Sequence, residues 1–133
     1  MLFRSEIDVI DIDMDAFMVG DIPVLPIKVW HLHMPVLGFR IGKFTYITDA
    51  NKIDAEELDK IKGTEVLVLN ALRKEKHLSH FTLTEAVEVA NKIGAKQTYF
   101  THISHQLGLH THINNELPSG MSLAYDGLEV NLP

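Results

Sequence analysis

Short apolar runs separated by turn residues at close spacing dominate this chain, the pattern of a sheet-rich domain with a few helices. Ile7 to Ile12 and Val24 to Trp30 read as strands, with Val19-Gly20-Asp21-Ile22 as a turn. Pro23 and Pro26 argue for an edge position, because proline has no N–H to give to a sheet ladder. Val36 to Ile41 and Phe44 to Thr48 form a hairpin around Gly42-Lys43, where glycine supplies the positive φ of a two-residue connection. Asp49 therefore sits just past a strand end.

Further along, Asp54 opens a short helix with Glu57 three residues on, a capping-box arrangement. Ala55, Leu58 and Ile61 form its apolar stripe, and Gly63 stops it. Glu65 to Leu69 reads as a buried strand. Thr82-Leu83-Thr84-Glu85 is a second capping box, and Leu83, Ala86, Val87, Ala90 and Ile93 share one face of a helix closed by Gly94. Gln97 to Thr101 is the next strand, and Ser122 to Ala124 pairs with Leu128 to Leu132 as a hairpin around Asp126-Gly127. The expected fold class is α/β, with helices packed on one face of a mixed sheet.

Composition narrows the function. The 133 residues suit one domain, and 46% hydrophobic with 23% charged residues is an ordinary globular balance. A formal net charge of -6 makes a broad basic face for nucleic-acid backbone an unfavoured reading. Without cysteine there are no disulfides, thiolate ligands or thiol nucleophiles, which suits a cytoplasmic protein, and any metal must take histidine and carboxylate ligands. No apolar run reaches the roughly 18 residues of a membrane-spanning helix, and the opening Met1-Leu2-Phe3-Arg4-Ser5-Glu6 lacks a signal-peptide core.

The chemistry lies in eight histidines, which fall in three stretches that each follow a predicted strand. These are His31 and His33; His77 and His80; and His102, His105, His110 and His112. Strand-end loops are where α/β layers place ligand and catalytic groups. Imidazole nitrogen and carboxylate oxygen suit Zn²⁺, Mn²⁺ or iron, and an aspartate can bridge two cations. His31, Asp49 and His102 are the candidate ligands. Blander readings stand beside these. His33, His77, His110 and His112 read as solvated loop histidines, Asp49 as a turn cap before Asn51, and Arg40 as a strand-surface charge. His105 divides between a buried histidine bonded to backbone and a group supporting the site.

The run His31-Leu32-His33-Met34-Pro35-Val36-Leu37-Gly38-Phe39-Arg40-Ile41-Gly42, followed by Tyr46-Ile47-Thr48-Asp49, resembles the central part of metallo-β-lactamase-fold hydrolases. Leu67-Val68-Leu69-Asn70-Ala71-Leu72-Arg73, Ser79-His80-Phe81, Thr101-His102-Ile103-Ser104-His105-Gln106, Leu117-Pro118-Ser119-Gly120 and Tyr125-Asp126-Gly127 are similar to its PhnP-like phosphodiesterase branch. Best-known members of that branch hydrolyse the cyclic phosphate of a phosphoribosyl intermediate in phosphonate breakdown. The resemblance runs from about Ile12 onward, and it implies the C-terminal half of an αββα sandwich with two divalent metal ions, zinc or manganese. It further implies that His31 and His102 are metal ligands, Asp49 the bridging aspartate, and His80 a non-ligand histidine beside the reacting phosphate that protonates the leaving alkoxide.

The family's His-x-His-x-Asp-His ligand cluster has no counterpart in the chain. A partial domain is therefore expected, inactive by itself, with its other half encoded upstream or on another polypeptide. A sheet face left open by that omission should be covered by the missing half or by a second copy in a homodimer. Three alternatives to a small-phosphodiester hydrolase remain open: an inert or metal-binding fragment, an RNA-processing nuclease of the same superfamily, and a less favoured β-lactamase or thioester hydrolase.

Overall fold

The computed structural model describes residues 6–132, so the opening Met1–Ser5, read above as carrying no leader, lies outside the described residues. The strands are β1 (Phe17–Val19), β2 (Ile22–His31), β3 (Met34–Ile41), β4 (Phe44–Ile47), β5 (Lys52–Ile53), β6 (Val66–Asn70), β7 (Gln97–Thr101) and β8 (Met121–Leu123). Between them lie α1 (Ala55–Lys60), α2 (Leu83–Ile93) and α3 (His110–Glu116). They build one mixed sheet in the order β1-β2-β3-β4-β6-β7-β8, with β5 beside β2. Because β3 is antiparallel to both β2 and β4, while β4, β6, β7 and β8 are parallel, five strands point the same way. β2, β4, β6, β7 and β8 thus present their C-terminal ends at one edge of the sheet.

Alternation along the strands sorts side chains between the two faces. Ile27 and Val29 of β2, Ile47 of β4, Leu67 and Leu69 of β6, Phe100 of β7 and Leu123 of β8 point to a buried core. Ile61 beyond α1, Leu83, Ala86 and Ala90 of α2 and Ile113 of α3 join the same cluster, so the helices share one face. The opposite face carries Phe39, Phe44, Tyr46, Val68 and Tyr99.

Most expected elements form. Thr82 and Glu85 make the reciprocal capping box of α2, and Gly94 ends it in the left-handed conformation at φ 71°. The first helix begins at Asp54 without that box. Both acids have stronger partners: Asp54 accepts from the Trp30 indole at 2.7 Å and from Lys52, while buried Glu57 accepts from the Lys28 N–H at 2.9 Å and from Lys60. β2 is not the edge strand its prolines suggested, since β1 and β5 pair on one side of it and β3 on the other, and the Lys28 bond shows how Pro26 is accommodated. N–H groups of alternate residues point the same way, so the missing donor of Pro26 falls on this outer side, in the gap between β1 and β5.

Two strands differ from expectation. Ile7 to Ile12 is extended chain with Ile7, Val9 and Ile10 more than 80% exposed, and Phe17–Val19 pairs across the Gly20 turn instead. A hairpin with so short a connection is zipped by residues next to the turn. The Asp126-Gly127 turn forms, but Leu128 to Leu132 is not a strand. Leu128, Val130 and Leu132 instead line a cleft of about 310 Å³ with Phe44, Tyr46, Val68 and Tyr99, exchanging ladder bonds for apolar contact. Arg40 is more than a surface charge: its guanidinium donates to the carbonyls of Gly42, Lys60 and Lys62 and holds the end of α1 against the sheet.

A candidate metal centre at the C-terminal sheet edge

His31 is the last residue of β2, Asp49 lies two residues beyond β4, His80 lies in the loop between β6 and α2, and His102 directly follows β7. All four meet at Asp49 Oδ1. His80 Nε2 is 2.6 Å away, His31 Nε2 3.3 Å and His102 Nε2 3.7 Å. One donor atom each of His31, Asp49 and His80 falls within 4.8 Å of the others, a grouping able to hold a cation. His80 is the hub, its ring edge-on to His31 and stacked on His102 at 4.9 Å from each. Its side chain is also the most buried of the four, 12% exposed against 26% for His31 and about 42% for Asp49 and His102.

Backbone strain concentrates at the same place. Asp49 and His102 adopt left-handed φ angles of 61° and 58°, and Leu32, next to His31, sits at 57°. Non-glycine residues there cost about 1–2 kcal/mol each and persist only where surrounding structure holds them. That hold is visible. Buried Asn70 at the end of β6 accepts from the Ala50 N–H at 2.9 Å and donates to the Ala50 carbonyl at 2.8 Å. The same carbonyl accepts from the Phe81 N–H at 2.9 Å, which draws His80 toward Asp49. Ser104 donates to the Leu72 carbonyl and Ala71 to that of Thr101, fastening the His102 loop to the His80 loop. Asn51 ties the remaining turn, accepting from the Leu32 N–H and donating to the Trp30 carbonyl.

The other histidines divide. His33, His105, His110 and His112 are exposed, with His110 and His112 on α3 rather than in a loop and His110 edge-on to Tyr125. His105 is therefore not the buried histidine that one reading expected. His77 is misjudged as a solvated residue: its Nδ1 lies 3.0 Å from His80 Nδ1. Its three-residue spacing from His80 was the available signal. Asn70 had a signal too, a polar residue extending the apolar run Val66–Leu69.

Burial pulls the His80 imidazole below its ordinary value of 6.5, and the neighbouring His102 and His77 add to that, while the hydrogen bond and charge of Asp49 push the other way. The folded chain thus takes up this proton less readily than the unfolded chain. The contribution of His80 to stability is whole above pH 6.5 and is lost as the pH falls below it.

Residues 3–103 match the β-lactamase superfamily domain. The chain belongs to that family. Its fold overlays the crystal structure of a diphosphatase of the PhnP family at a TM-score of 0.89 and 37% identity, over 92% of this chain and 48% of that one. The human tRNase Z, short form, shares the fold at a TM-score of 0.68 and 18% identity, over 88% of this chain and 46% of that chain. A protein of Porphyromonas gingivalis (strain ATCC BAA-308 / W83) named octanoyltransferase is 36% identical over 115 residues, which are 86% of this chain but 23% of that protein. The chain thus spans about half the length of the structures it overlays, and under a quarter of that curated relative.

Two outcomes follow for the site. Asn70→Ala strands the buried Ala50 N–H and should lower stability by about 1–3 kcal/mol, read from urea unfolding. Asp49→Asn removes the influence that raises the His80 value, so a histidine NMR titration should show the His80 midpoint moving further down; an upward shift would contradict the assigned causes.

Proposed function

We propose that this chain carries part of the two-metal centre of a phosphodiesterase that acts on a small phosphodiester. The observation that carries this reading is the convergence of His31, Asp49, His80 and His102 on one carboxylate oxygen, two of them at strained backbone positions. The 37% identity to a PhnP-family diphosphatase supports it.

The donor set fits divalent zinc or manganese, being imidazole nitrogen and carboxylate oxygen throughout. Ligand atoms about 2.1 Å from a tetrahedral ion stand roughly 3.4 Å apart. His31 at 3.3 Å and His102 at 3.7 Å from Asp49 Oδ1 have that spacing, whereas His80 at 2.6 Å has the spacing of a hydrogen bond. Accordingly His31, His102 and Asp49 are the residues that would hold the ions. His80 stays off the metals, although it completes the tightest donor grouping. When bound, the ions supply Lewis acidity at the phosphoryl oxygens. Protonated at both nitrogens, His80 would give its Nε2 proton to the leaving oxygen and return to the neutral ring. The loops stitched by Asn70 and Asn51 keep the four side chains in place during this transfer.

A cleft of about 300 Å³ opens beside His102, walled by Thr101, Ile103, Ala124, Tyr125 and Asp126. The cations near the His80 loop are engaged elsewhere: Arg73 by Gln106 and two backbone carbonyls, Lys74 by Glu116, and Lys76 by Glu85. A site without a basic track suits a small substrate better than an RNA strand. Each ion would have two protein donors from this chain, where catalytic zinc sites usually have three. Little turnover of bis(p-nitrophenyl) phosphate is therefore expected from residues 1–133 alone, and metal-dependent turnover from a protein supplying the further donors. There His80→Ala should lower kcat about 10²–10⁴-fold with metal content unchanged. Equal loss of metal would make His80 a ligand, and a preference for a diphosphate would replace the diester.

Self-association is the second expectation. Phe39, Phe44, Tyr46, Val68 and Tyr99 occupy successive outward positions of the sheet with no charge among them, and Leu128, Val130 and Leu132 leave them only half-covered, whereas a water-facing sheet presents polar residues there. A second copy of the chain is the covering proposed, and light scattering at micromolar concentration should return the mass of a dimer. A monodisperse monomer would rule this out.

A further inference from the structure

We infer that His77 is a positioning residue for His80, donating its Nδ1–H to His80 Nδ1 and so holding the His80 ring with Nε2–H turned to Asp49. The argument is one of hydrogen inventory. The Asp49 carboxylate can only accept, so the proton in the 2.6 Å contact belongs to His80 Nε2. A neutral His80 then has a bare Nδ1, which must accept. Two groups stand 3.0 Å from it, Ser79 Oγ and His77 Nδ1. A nitrogen–nitrogen contact this short needs one proton between the rings, and His80 has none to give there. His77 must therefore carry its proton on Nδ1, the minority tautomer of free imidazole. The Ser79 N–H and Oγ also lie near His77 Nδ1; the N–H would require that nitrogen to accept, but at 3.3 Å it is a longer contact and yields, while the hydroxyl at 3.4 Å can accept from it.

The consequence is orientational. A half-turn of the His80 ring would take Nε2 away from Asp49, and the neighbours on its faces and edge, His102 and His31, do not oppose that turn by hydrogen bonding. The contacts at Nδ1 do, from His77 and from the Ser79 hydroxyl, in the way that a metal-binding or catalytic histidine is commonly oriented through its other nitrogen. Resting on the phosphodiesterase reading, this gives His77 the task of keeping Nε2 of the neutral resting ring aimed at the reacting centre; once His80 is protonated at both nitrogens, the same contact runs from His80 Nδ1–H to His77 Nδ1.

The test is a long-range proton–nitrogen NMR correlation on the metal-free, ¹⁵N-labelled chain at about pH 8, where the rings are neutral. His80 should be protonated at Nε2 and bare at Nδ1, with His77 the reverse. His77→Ala should replace the single His80 tautomer by an averaged pair, and His77→Asn, whose amide can donate from the same place, should restore it. Should the alanine variant fail to fold, the wild-type tautomers and the asparagine variant still decide. His77 protonated at Nε2 in the wild type, or a His80 tautomer indifferent to His77→Ala, would overturn the inference. Failure of hydrolysis in every form of the protein would remove the phosphodiesterase reading yet leave these tautomers standing, so the two failures are distinguishable.

Discussion

The pair of hydrogen bonds between the Asn70 side chain and the backbone of Ala50 is the constraint from which the rest of the edge follows. Asp49 precedes Ala50 and sits in a left-handed conformation that an aspartate does not choose freely. Fixing both polar groups of the next residue removes the relaxed alternatives, because rotating the Asp49–Ala50 peptide would break the bond from the Ala50 N–H to Asn70, while the following peptide is held through the Ala50 carbonyl. The parallel register of β4 and β6, with Ile47 beside Leu69, sets Asn70 at the right height for this. Phe81 then bonds the same carbonyl, and the histidine before it is brought to the aspartate.

That arrangement accounts for the electrostatics of the centre. Three imidazoles crowd around a single carboxylate, and His80, the most enclosed, meets the other two and His77 besides. Charging that ring means removing it from water beside other groups able to carry positive charge, and one aspartate does not fully offset this. Such a cluster is acid-sensitive while empty and well matched to divalent cations, which take neutral imidazole and ionised carboxylate as they are.

Family membership and the site's geometry bear on different questions. The match over residues 3–103 and the overlay on a PhnP-family diphosphatase at a TM-score of 0.89 bear on the fold. Activity depends on the donors present. This chain brings His31, Asp49, His80 and His102 to one edge, and spans about half the length of that diphosphatase. The outer face of the sheet between β3 and β7 presents aromatic and aliphatic residues, with Leu128, Val130 and Leu132 laid against part of it.

Sequence alone determined the elements whose signals are local. The capping box at Thr82, the glycine stop at Gly94 and the two-residue turn at Gly42 each depend on a few neighbouring residues, and each forms as read. The motif around His31 and Asp49 was legible by resemblance, because order and spacing survive in a linear string. Tertiary structure decided the rest. The acids of the first helix abandoned their capping box for Trp30 and Lys28, partners 24 and 29 residues away that no local pattern reveals. Leu128 to Leu132 left its hairpin for the sheet face. His77 changed from a solvated loop residue to a neighbour of His80 because three loops are stitched together by backbone bonds. Hydrogen-bond partners and burial are properties of the packed chain, and a residue's role passes out of local reach wherever its strongest partner lies on another strand.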